Sequence, residues 1–348
     1  MRELCQKLMR ISFPALVSLV AIVPSFAQTD FCSQATESFH ARQWERAATA
    51  FSECEKLAPG KTDALLYRGK ALVNLQDFPA ASASLDAYIE HHPASDDALY
   101  LLGYVRFRQD RPKESLEVFA RAAKIRAPQE SDLKIAALDY VLLNDYTSAA
   151  KYLEGALQMN PEDAEARYHL GRVRYQQNQF DKAIEAFNAV LKQDPANVRA
   201  LDNLGLCLEA KNRNQEAVAM YRKAVQADSS AAVRNAQPYI DFGKLLNTLN
   251  RANEAASLLS QALQIEPRST TAHYQFGRAL FLLAKFDDAR AQVEEAIRLD
   301  PMDSSQHYLL GRIYSRMGKS AEAAAEFKMT DELIRQKNAK SGGMATGR

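Results

Sequence analysis

Between residues 164 and 195 apolar side chains recur at helical spacing. In the first half these are Ala166, Leu170 and Val173; in the second they are Ile184, Phe187 and Leu191. Asn178-Gln179 interrupts the pattern, and Asp194-Pro195 ends it, because proline cannot continue a helix. The stretch predicts two short amphipathic helices joined by a turn. Gly171 and Ala183 mark where the two backbones approach, with Phe187 filling the space beside them. Such a hairpin leaves one side apolar and needs a neighbour.

The neighbours recur every 34 residues. Gly171 becomes Gly205 one step forward and Ala137, Gly103 and Gly69 going back. Ala183 becomes Ala149, Ser115 and Ala81, and Phe187 becomes Leu153, Phe119 and Leu85. Pro195 becomes Pro161, Pro128 (one place late) and Pro93. The period and the Gly, Ala, Phe and Pro positions resemble the tetratricopeptide repeat. The resemblance implies an all-α, right-handed superhelical solenoid of antiparallel helix pairs.

Nine repeats are expected, at 28–61, 62–95, 96–129, 130–163, 164–197, 198–231, 236–269, 270–303 and 304–337. The register slips by four after repeat six, because the next glycine is Gly243, and Pro238 then falls in a first helical turn, where proline is tolerated. Ser95, Asp163, Asn197, Asn235, Ser269 and Asp303 precede first helices and are expected to cap them. Trp44 shares its place with Phe78, Tyr146, Phe180 and Phe286 and reads as packing. Residues 338–348, with three glycines, read as an unstructured tail, leaving the last helix to cap the array.

Residues 1–27 stand apart. Arg2, Lys7 and Arg10 precede an apolar run, and Ser25-Phe26-Ala27 places small residues where a signal peptidase reads. Cleavage is expected before Gln28, and the chain is expected to be exported, periplasmic or secreted, with no stable membrane span after cleavage. The rival reading is an uncleaved anchor, for which the run is short and broken by Pro14 and Pro24. An exported compartment permits disulfides. Cys32 and Cys54 lie on the two helices of repeat one and are candidates for a bond; the alternative is two buried apolar side chains, and geometry decides. Cys207 reads as core.

The 348 residues are 25% charged, with a formal net charge of +1, which argues against nucleic-acid binding. There is no phosphate loop, zinc-protease motif or nucleophile elbow. His91-His92 precedes Pro93 in a turn and reads as solvated rather than metal-binding. No catalytic residue, metal or cofactor is expected.

In the family that the chain resembles, first helices line a groove. The fifth and ninth positions of the repeats carry Tyr168 and Arg172, Tyr274 and Arg278, and Tyr308 and Arg312. Tyr100 and Tyr104 take these places in repeat three, and Lys70 and Lys244 supply further cations. Tyr and Arg are often the energetic side chains of interfaces. The competing reading is packing for Tyr and a solvated face for Arg. Some family members grip a peptide carboxylate with a Lys-Asn-Asn-Lys-Arg set. Asn203 and Arg199 occupy such places here, but Tyr168 and Arg172 replace the required Lys and Asn. Groove acids are confined to Asp202, Asp241 and Glu209, which read as too scattered for an enzyme. The expected function is non-catalytic binding of a protein or peptide, with acidic residues suiting the arginines. The rivals are an assembly factor of an envelope complex and a groove-based enzyme or sugar-binding protein.

Overall fold

A computed structural model describes residues 25–57, 59, 60 and 63–345, with side chains from Phe31 to Ala339 within those limits. The expected leader up to residue 24, the 61/62 repeat limit and residues 346–348 lie outside the described residues. The described residues are helical throughout, without strands, and form two compact units that meet in sequence between Ala127 and Pro128.

The first unit holds α1 (Ser25–His40), α2 (Trp44–Leu57), α3 (Ala64–Asn74), α4 (Phe78–His91), α5 (Asp96–Arg108) and α6 (Pro112–Ala122). The second holds α7 (Glu130–Leu142), α8 (Tyr146–Met159), α9 (Ala164–Gln176), α10 (Phe180–Gln193), α11 (Val198–Ala210) and α12 (Asn214–Ser229). It continues with α13 (Gln237–Thr248), α14 (Ala252–Ile265), α15 (Thr270–Leu282), α16 (Phe286–Leu299), α17 (Ser304–Arg316) and α18 (Ser320–Ala345). Within each unit, hairpins stack in chain order. The sequence predicted one uninterrupted array. The division falls where α6 stops early, at Ala122, and where Pro128 withholds an amide before α7.

Packing within each hairpin follows the predicted pattern. Ala47, Ala81, Ser115, Ala149, Ala183, Ala217, Ala255, Ala289 and Ala323 are all buried. The one polar member, Ser115, donates its hydroxyl to the Gly103 carbonyl at 2.8 Å. At Gly171 an added Cβ would lie 2.7 Å from the Phe187 ring, so only glycine lets α9 and α10 come this close. Trp44 meets Phe39 edge-on, with ring centroids 5.3 Å apart.

The turn inside each hairpin also repeats. Arg42, Gln76, Asp110, Asn144, Asn178 and Asn212 adopt a left-handed backbone at 34-residue steps. The next is Asn250, four residues late, followed by Ala284 and Gly318. The amide of Gln179 reaches the Arg174 carbonyl at 2.8 Å, which satisfies a carbonyl at the end of α9. The four extra residues lengthen α12 and the connection after it. Buried Asp228 holds that connection by accepting the Asn235 amide at 2.8 Å.

Ser95, Asp163, Asn197 and Asp303 cap their helices. Ser269 makes no side-chain cap bond, and the residue before α13 is Ala236, although Asn235 accepts the Gln237 amide at 2.9 Å. Caps on second helices, Asp77 and Asp145, were not singled out from the sequence. The last helix runs past Gln336 to Ala345, into the stretch read as a tail. Residues 337–340 are compatible with a helix, and each glycine beyond them costs only about 1 kcal/mol.

Cys32 and Cys54 are joined by a disulfide, with Cα atoms 5.1 Å apart, so the two helices of repeat one are in register at this point. Cys207 is buried and free.

Candidate functional site

In the second unit the first helices touch one another directly: α9 with α11, α11 with α13, α13 with α15, and α15 with α17. Positions five and nine of these helices are the candidate binding residues.

The tyrosines divide by burial. Tyr168 is 7% exposed. Its ring is covered at 4.7 Å by the guanidinium of Arg199 from the following repeat, and its hydroxyl accepts from Asn203 Nδ2 at 3.3 Å. Burial raises its pKa, opposed by the charges of Arg172 and Arg199. Both clamp-like residues, Arg199 and Asn203, are therefore engaged by Tyr168. Tyr274 is half-buried, and burial raises its pKa as well. Tyr308 is 50% exposed and packs on Phe327 at 5.8 Å.

The pairing expected four residues apart is only partly present. Arg312 approaches the Tyr308 ring at 5.9 Å but lies closer, at 4.8 Å, to Phe281 of the preceding repeat. The Tyr168 ring is covered by Arg199 instead of Arg172. The cause is the stacking of repeats, which places a neighbour's side chain nearer than the next turn of the same helix.

Arg172, Lys244 and Arg312 are exposed and Arg278 is half-exposed. None of the four forms an ion pair among the described residues. Several arginines elsewhere in this unit are paired. Arg213, Arg251 and Arg298 each fork onto a glutamate three residues away, and Arg174 bridges to Glu154.

In the first unit, Tyr100 is 6% exposed; its hydroxyl donates to the Arg126 carbonyl at 2.7 Å under the Arg126 guanidinium. Tyr100 and Tyr168 are thus packing residues, with little ring left for a partner. Tyr104 is half-buried and its hydroxyl accepts from Arg108 at 2.7 Å. Lys70 is already paired with Asp97 at 2.7 Å. His92 stacks on Tyr88 at 4.2 Å, and among the described residues no group of three or more His, Cys, Asp or Glu could hold a metal.

The acids are not scattered as the sequence suggested. Asp202 and Asp241 lie on adjacent helices, α11 and α13, and are 5% and 8% exposed. Burial, then the charge of Asp241, pushes Asp202 up to about 8. Burial also raises Asp241, against a hydrogen bond from Gln237 and the charge of Lys244. Glu209 lies further along α11 and accepts from the Tyr221 hydroxyl at 3.2 Å.

Two family descriptions, both tetratricopeptide repeat, match this chain, one over residues 68–131, 136–197 and 170–232 and the other over 246–313. A peroxisomal targeting signal receptor of Candida albicans is 27% identical over 190 residues, covering 52% of this chain and 32% of that protein. A DnaJ homolog subfamily C member 7 homolog of Schizosaccharomyces pombe is 31% identical over 151 residues, covering 40% and 32%. The chain thus spans about a third of the length of these two relatives. A tetratricopeptide repeat protein from Parabacteroides merdae has the same fold, with a TM-score of 0.59 and 18% identity over 72% of this chain and 98% of that one. Period, hairpin packing and these matches agree: the chain belongs to the tetratricopeptide-repeat family.

Proposed function

We propose that this protein is a non-catalytic scaffold that binds a protein or peptide along the first helices of its second unit. The observation that carries the reading is the row of cations at position nine. Arg172, Lys244, Arg278 and Arg312 lack ion-pair partners among the described residues, whereas Arg213, Arg251 and Arg298 have them. An arginine left without an acid can fork onto a partner's carboxylate, and half-exposed tyrosines beside it offer apolar area. A partner with acidic residues fits this row. The C. albicans relative, a targeting signal receptor by name, agrees with a binding role.

We place this activity outside the cytoplasm. Support comes from the charged start, apolar run and Ser25-Phe26-Ala27 site, and from the Cys32–Cys54 bond, which suits an oxidising compartment. Intact-mass measurement on the exported fraction tests it: an N-terminus at Gln28 is expected, and a chain that retains residues 1–27 overturns cleavage.

The binding reading is tested by replacing Arg172, Arg278 and Arg312 together with Ala. Helical content and melting should hold, since exposed substitutions typically cost under about 0.5 kcal/mol. Capture of partners from the exported fraction should weaken, and its salt dependence should flatten. Undiminished capture by the triple variant rejects the groove.

A further inference from the structure

Repeats six and seven interrupt the row of tyrosines, and repeat six also interrupts the row of cations. Position five is Asp202 in repeat six and Ile240 in repeat seven, and position nine of repeat six is Leu206. Asp241 follows directly on Ile240. The groove therefore changes character between Arg172 on one side and Lys244 on the other. Here the two acids lie on touching helices, the charge of Asp241 acts on Asp202, and Asp202 Oδ1 is buried without a hydrogen-bond partner. Asp241 accepts from Gln237 Nε2 at 2.8 Å. Neither carboxyl has an ion-pair partner among the described residues.

We propose that Asp202 and Asp241 form a seat for the lysine or arginine side chain of a bound peptide. The proposal rests on the groove reading above and assigns its centre an occupant of opposite charge to that of its flanks.

A buried carboxyl oxygen without a partner is unfavourable. The empty site relieves this by holding a proton; a cation supplies the same relief with stronger attraction, because charges interact more strongly away from water. An arginine fork spans two carboxylates, and an ammonium can donate to both. The surroundings leave this role open. On α9 the groups acting nearby are Tyr168, Tyr175 and Arg172; on α12, Tyr221; on α13, Lys244; on α11 itself, Arg199 and Glu209. Arg199 is spent on the Tyr168 ring, and Lys244 acts on Asp241 without forming an ion pair with it. Among the described residues no third His, Cys, Asp or Glu joins the pair to make a group that could hold a metal ion. Binding a cation near neutral pH releases a proton from the aspartates to solvent, so charge balances.

The test uses the full chain and a phage-displayed pool of random short peptides. Enriched peptides should carry Lys or Arg at one fixed position. Replacing that residue by norleucine should weaken binding at least about tenfold, a change made without altering the protein. Asp202→Asn combined with Asp241→Asn should bind the two peptides alike. Calorimetry in buffers of different ionisation enthalpy should show proton release with the wild type only. Enriched peptides that depend on Arg172, Arg278 and Arg312 but carry no fixed cation overturn the seat and leave the groove reading standing. So does equal binding of the norleucine peptide, or a preference for the cation that persists in the double variant. A pool with no enrichment overturns both readings.

Discussion

The Lys134 ammonium bridges to Asp163 Oδ2 at 2.7 Å, tying the first helix of repeat four to the residue that caps the first helix of repeat five. Asp163 also accepts the amides of Glu165 and Ala166 at 2.8 and 3.0 Å. Burial alone would raise its pKa, but bonds with Glu130, Lys134 and the Ala166 amide outweigh it and hold the carboxyl well below the usual range. A depressed carboxylate contributes stability above its unfolded pKa of about 4 and loses it as the pH falls. Asp163→Ala should cost about 1–2 kcal/mol in urea unfolding at neutral pH, and less in acid. Asp163→Asn should keep the cap but lose the acid dependence. An unchanged acid limb in the Asn variant counts against this role.

Gly277→Leu should damage the array locally. A Cβ at Gly277 would lie 2.5 Å from Val293 Cγ2 and 3.2 Å from the Ala289 carbonyl, so α15 and α16 must move apart. Overpacking of this kind costs roughly 1–3 kcal/mol or more. Hydrogen exchange should rise in α13–α18, because repeats depend on their neighbours. An equal rise in α1–α6 would contradict that locality.

The Asp202 carboxyl sets an opposite pH dependence. Its pKa is raised to about 8 in the folded chain, so the folded state holds a proton that the unfolded state releases near pH ~4. Stability should therefore fall as the pH rises from about 4 to 8, by up to about 1.4 kcal/mol per unit from this group. Asp241 acts in the same direction. Asp202→Asn should flatten the decline. Unfolding curves across this range that superimpose for wild type and variant would show that Asp202 is already ionised.

The disulfide should stabilise the first repeat. It closes a span of 22 residues, for which chain entropy predicts about 3 kcal/mol. Replacing Cys32 and Cys54 together with Ala should loosen α1 in hydrogen exchange before other helices. In denatured, unreduced protein cleaved before Gln28, a thiol label should find Cys207 alone. Labelling of all three remaining cysteines would show that the bond is absent from the purified protein.

The hairpins were legible in the sequence because their causes are local or strictly periodic. Gly171 and Phe187 sit at a spacing that two short antiparallel helices impose, and the recurrence of that pair reveals the repeat. The four-residue slip was visible for the same reason, in Gly243, and Asn250 marks it again in the backbone. The candidate site was legible only by position. Sequence placed Tyr168 and Arg172 on one helix face, four residues apart.

Tertiary structure decided what these side chains do. The ring of Tyr168 is covered by Arg199 of the following repeat, and Tyr100 is taken by Arg126 from the end of its own repeat, because the folded chain brings these side chains closer than the next turn of the same helix. It also brought Asp202 within the field of Asp241, on helices separated along the chain by α12 and the slip. Sequence by itself determined the period, the small-against-large packing and the row of cations, since each follows from spacing along one chain. Burial, and with it the division of tyrosines into packing and surface and the raised aspartates, came from stacking one repeat on the next. Desolvation depends on everything that surrounds a group, and no single stretch of sequence contains that.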